Sequence, residues 1–146
     1  MSDYMVNKIK YLLIGILPLF FYFVLSLVWL IPFIFGSNAL VTTVKVVTAI
    51  LFLAMWAVTA YKLEEQETLK PIDYGLTHLL GFGLMIGALV IPSNSLSEIY
   101  YVSLSSALSR QTEPVSMTFS LILMLAVFIL SSKAAKRKKR PFTINR

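Results

Sequence analysis

Apolar residues run without a single charge from position 11 to position 35, and polar interruptions divide most of the remaining chain into three further apolar stretches. A helix of about 20 predominantly apolar residues crosses the hydrocarbon of a bilayer, so each stretch predicts a transmembrane helix. The first is expected over about 11–35, closed by Gly36, Ser37 and Asn38. The second covers about 39–61 and is interrupted only by Lys45. Segment 62–73 carries enough charge to predict an aqueous loop. The third span covers about 74–91, ended by Pro92, and the fourth about 115–132, ended by Lys133. At 1.5 Å per residue the first span would be roughly 37 Å long, so tilt or a kink is expected. Pro18 and Pro32 are its natural places, because proline lacks the helical N–H donor. The fourth is short enough to need local thinning or snorkelling at its ends. The expected fold class is therefore an all-α integral membrane protein, a small bundle of four transmembrane helices.

Composition points the same way. The chain has 146 residues, 58% hydrophobic and only 14% charged, with a mean hydropathy of +0.79. A soluble domain carries roughly 25% charged residues, so too few are present to cover a water-facing surface. The length suits one domain, here a transmembrane unit over 1–132 followed by a basic tail over 133–146. Absence of cysteine excludes disulfides, thiolate metal sites and a cysteine nucleophile, and a single histidine excludes a multi-histidine zinc site. Ser37, Asn38 and Ala39 offer small residues to a signal peptidase, but the preceding apolar run is far longer than a signal h-region, so a retained span is expected.

Basic residues set the expected orientation. With four spans, Lys8, Lys10, Lys62, Lys70 and seven basic residues between positions 133 and 146 share one side, eleven of the 13 in the chain. Only Lys45 and Arg110 fall toward the other. The positive-inside rule then predicts both termini in the cytoplasm; the expected location is a bacterial inner membrane.

Between the third and fourth spans, Ser95 and Glu98 fit a capping box, and Leu96, Tyr100, Leu104 and Leu108 recur at helical spacing among serines. The pattern predicts a short amphipathic helix in the outer interface, with Tyr100 and Tyr101 at headgroup level. In the third span, Gly83 and Gly87 form GxxxG, a pattern that lets a second helix approach closely, inside the monomer or at a subunit interface. His78, one turn inside that span, is a candidate titratable group whose simpler role is a hydrogen bond near the interface. Asp73 is expected as the N-cap of the third helix.

The tail residues Lys133, Lys136, Arg137, Lys138, Lys139 and Arg140 begin directly after a span. They are expected to set topology and to meet anionic lipid headgroups rather than nucleic acid, since no aromatic residues interleave them as a stacking platform. Lys45, Thr42 and Thr48 make a polar strip on the second helix, and Glu98 is one of two acids on the same side. A Lys45–Glu98 ion pair holding the short helix over the bundle is therefore expected.

No hydrolase, zincin or nucleotide-binding motif occurs, and no pair of acids lies within a span. The reading is a non-enzymatic protein with no cofactor and no metal, a structural or accessory subunit packing with itself or a membrane partner. The rival is a small transporter or channel, weakened because the span midpoints offer only Ser, Thr and Gly where transporters place charged groups. A pore-forming, holin-like protein is also similar in its small spans and basic tail, a likeness of composition that rests on no motif.

Overall fold

The computed structural model describes residues 3–35, 38–91, 95–108 and 114–139. Six helices follow in order: α1 (Asp3–Ile14), α2 (Leu17–Phe35), α3 (Asn38–Gln66), α4 (Pro71–Val90), α5 (Ser95–Leu108) and α6 (Pro114–Lys139). Four helical stretches are long and apolar enough to cross a membrane: Lys8–Val28, Asn38–Gln66, Pro71–Val90 and Pro114–Lys139. The chain is thus a helical bundle compatible with a multi-pass membrane protein.

The first stretch is two helices, not one. Pro18 cannot donate a backbone bond, and its ring clashes with the carbonyl of Ile14 in a continuous helix. α1 accordingly stops at Ile14, and the chain tightens through i→i−3 bonds: Gly15 N–H to Leu12 at 3.1 Å, Ile16 to Leu13 at 3.0 Å and Leu19 to Ile16 at 2.9 Å. Pro32, expected as a second distortion, lies within α2, which continues as helix to Phe35.

α3 is longer than expected. It runs to Gln66, so 62–66 is helix rather than loop. The reason is a buried stripe every fourth residue, Val44, Thr48, Phe52, Trp56, Ala60 and Glu64, which α6 covers. At its centre Trp56 donates its indole N–H to the Met124 carbonyl at 3.1 Å and packs on Phe128 at 5.4 Å between ring centroids. Phe21 of α2 closes the cluster edge-on against Phe52 and Trp56.

At the start of α4, Asp73 is not the N-cap. Lys70 occupies that position, and Asp73, three residues later, accepts the Lys70 N–H at 2.8 Å. This is the reciprocal half of a capping box, favoured by Pro71 at the first helical position.

The short helix between the third and fourth spans forms, but its tyrosines are buried against the other helices rather than exposed on its surface. α5 packs against α2, α3, α4 and α6, and Tyr100 and Tyr101 are each 1% exposed. Ser97, Ser103 and Ser105 are buried with them, whereas Leu96 of the expected apolar stripe is exposed. Without Cβ branches or bulk, serines let helices approach, and the Ser105 hydroxyl donates to its own helix at Tyr101 O, 2.8 Å away. The Ser95 side chain, expected as N-cap, and segment 92–94 lie outside the described residues. So do Arg110, Glu113 and the tail from Arg140 onward.

Candidate functional site

Polar side chains gather where α1, the α3–α4 elbow and the end of α6 meet. The Lys8 ammonium pairs with the buried Asp73 carboxylate and lies 5.6 Å from the centre of the Tyr11 ring, within cation–π range. Lys10 donates to Glu67 at 2.6 Å, and the Tyr11 hydroxyl donates to the other oxygen of the same carboxylate at 2.7 Å. These two donors hold the Glu67 carboxyl below the usual carboxylate range.

Glu64 is 0% exposed. One carboxylate oxygen accepts the Leu69 N–H at 3.1 Å; the other has no hydrogen-bond partner among the described residues. Its backbone carbonyl, one of the orphan acceptors at the end of α3, receives the Lys139 ammonium. The basic end of α6 is therefore tied to the C-terminus of α3 by a cation on the negative end of a helix dipole. Treating segment 62–73 as uniformly aqueous hides Glu64, although the four-residue stripe from Val44 extends straight to it.

A second centre surrounds His78. Its Nδ1 lies 2.9 Å from the Tyr74 carbonyl, and its ring meets Trp56 and Phe128 edge-on at 5.5 and 5.2 Å. The imidazole is buried in this aromatic enclosure, and Nε2 has no hydrogen-bond partner among the described residues. One turn earlier, the Tyr74 and Ser132 hydroxyls join α4 to α6 at 2.9 Å.

A third centre is α5 itself. The Tyr100 hydroxyl donates to Gly15 O at 2.9 Å, and the Tyr101 hydroxyl donates to Gly81 O. Burial raises both phenols above their usual range.

The other residues singled out in the sequence fall apart from these centres. Lys45 is half-buried, Glu98 is exposed, and the three ion pairs among the described residues do not include them. The expected pair is therefore not made. A Cβ on Gly83 would meet nothing within 4 Å, so this glycine makes no close helix contact inside the chain. The close approaches are at Gly15, whose Cβ would come within 2.7 Å of the Thr77 carbonyl oxygen, and Gly81, where it would come within 3.0 Å of both α5 tyrosines. Lys133, Lys136, Arg137 and Lys138 are exposed on a helix that extends past the apolar span.

No family model matches the chain, and no curated protein or solved structure matches it either.

Proposed function

We propose that the chain is a structural or accessory subunit of a membrane assembly, without catalytic activity. One observation carries this reading: the long-range side-chain hydrogen bonds join separate segments. Lys8 to Asp73, Lys10 and Tyr11 to Glu67, Trp56 to Met124 O, Tyr74 to Ser132, Tyr100 to Gly15 O, Tyr101 to Gly81 O and Lys139 to Glu64 O all bridge separate helices or their elbow. Between helices in lipid, such bonds hold a bundle in one arrangement, which suits a scaffold better than a moving carrier. In this reading the membrane is a bacterial inner membrane, the basic bias puts both termini in the cytoplasm, the tail lies against anionic headgroups, and the face of Gly83, where a Cβ would meet nothing within 4 Å, receives a second copy or a membrane partner.

The competing reading, a small transporter or channel, draws on Glu64, a fully buried carboxylate with one oxygen unpartnered among the described residues. Purification in mild detergent with light scattering and mass spectrometry separates the two. A discrete oligomer or a stoichiometric partner is expected. A monomer that passes ions or protons across liposomes, and stops doing so as Glu64→Gln, would overturn the subunit reading.

A further inference from the structure

Between α4 and α6 runs an open groove of about 520 Å³ whose lining is almost wholly apolar, formed by Tyr74, Gly75 and Leu79 on one wall and Leu121, Leu125 and Ile129 on the other. The two helices are antiparallel neighbours: Tyr74 bonds Ser132 near one end, and the Thr118 hydroxyl bonds the Met85 sulfur toward the other. Leu121, Leu125 and Ile129 are spaced four apart, on one face of α6. The same face carries Lys136 seven residues beyond Ile129, two turns and about 10 Å farther along the axis, with Lys133 beside it. On the opposite wall Lys70 directly precedes Pro71, which also lines the groove. All three lysines are exposed, and none belongs to the ion pairs among the described residues. A second apolar groove, on α1, includes Lys10, but that lysine is held by Glu67.

We infer that the α4–α6 groove seats an acyl chain of an anionic phospholipid whose headgroup phosphate rests on Lys133, Lys136 and Lys70. Apolar lining selects hydrocarbon, and the cations at one end select a negatively charged headgroup at membrane-surface depth. Gly75 keeps the groove open: a Cβ there meets nothing within 4 Å. Lys138 is the internal contrast, since it lies on the opposite side of α6 from Lys136, near Glu65.

The inference rests on the membrane reading but not on the subunit role. The test is native mass spectrometry of the detergent-purified full chain, offered phosphatidylglycerol or phosphatidylcholine. Phosphatidylglycerol should be retained in preference, and Lys133→Gln and Lys136→Gln should each lower that retention about fivefold. Lys138→Gln should leave it unchanged. Gly75→Leu, whose Cβ has open space and whose longer side chain packs into the groove, should abolish retention while the lipid-free variant melts no lower than the parent. Equal retention of the two lipids, an equal loss in Lys138→Gln, or full retention in Gly75→Leu would each overturn the groove. A chain that stays dispersed without detergent would instead overturn the membrane reading beneath it.

Discussion

The Tyr100 hydroxyl reaches across 85 positions of sequence to donate to the Gly15 carbonyl at 2.9 Å. That carbonyl is an acceptor because of Pro18. In a continuous helix Gly15 O would receive the Leu19 N–H, but after the break Leu19 bonds Ile16 O instead. An unmatched carbonyl inside lipid costs several kcal/mol, so the break near Pro18 and the burial of α5 answer one another. Absence of a side chain on Gly15 also lets this turn rest directly on the Thr77 backbone.

Removing the donor should therefore weaken the bundle. Tyr100→Phe keeps the ring and is expected to lower unfolding free energy by about 1 kcal/mol, the scale of interhelical bonds in membranes. Gly15→Ala should cost more, because its methyl would come within 2.7 Å of the Thr77 carbonyl oxygen, a backbone atom that cannot step aside. Unfolding in mixed micelles measures both. A Tyr100→Phe variant as stable as the parent would mean that Gly15 O finds another donor.

Glu67 gives a pH dependence of known sign. Hydrogen bonds from Lys10 and Tyr11 lower its folded-state pKa, so the stabilisation is fully present above the ordinary carboxylate value near 4.3 and is lost as pH falls through the lowered folded value. Both ion-pair side chains are more than a third exposed, which limits the effect to roughly 0.2–1 kcal/mol. Glu67→Gln should be less stable than the parent at pH 7 and should converge with it at low pH. Parallel stability curves at every pH would remove Glu67 from the acid response.

The four spans were legible because lipid demands long apolar runs, and the break near Pro18 because proline chemistry is local. Two features were hidden for opposite reasons. Serines in α5 resemble a wet face by the standards of soluble proteins, yet in a bundle Ser105, Ser120 and Thr48 all turn their hydroxyls onto their own helix and leave a small, close-packing surface. Glu64 sits in a charged run that reads as solvated, although its helical phase with Trp56 and Ala60 carries it into the core. The Lys45–Glu98 pair was a juxtaposition of opposite charges on one side of the membrane. A shared side does not fix which helix faces turn toward each other, and the two residues do not pair.

The burial of α5 changes which positions can report the proposed orientation. With no native cysteine, single cysteines are informative at exposed sites: Asn38 and Glu98 on one side, and Lys138 on the other. An impermeant thiol reagent should label the first two in intact cells and Lys138→Cys only after lysis. Ser105→Cys should resist labelling under both conditions, because Ser105 is 0% exposed. Lys138→Cys reacting in intact cells would reverse the topology, and rapid reaction at Ser105→Cys would place α5 outside the bundle.

Gly81 and Gly83 are two residues apart on α4 and face opposite demands. An alanine methyl at Gly81 would sit 3.0 Å from both the Tyr100 ring and the Tyr101 hydroxyl, and Tyr101 is already bonded to Gly81 O. The tyrosines are hemmed in by four helices, so Gly81→Ala should destabilise the monomer. At Gly83 the methyl meets nothing within 4 Å, and replacing a helical glycine by alanine contributes up to about 1 kcal/mol of helix propensity. Gly83→Ala should therefore hold or raise monomer stability. Gly83→Leu should do the same within the monomer while blocking close approach of a second helix. Thermal unfolding and detergent-resolved mass, measured together, separate these roles. If Gly83 meets a partner, Gly83→Leu shrinks the assembly without lowering the melting temperature of the chain itself. An unchanged mass would leave that face to lipid, and a fall in monomer stability as large as that of Gly81→Ala would show Gly83 packed inside the chain.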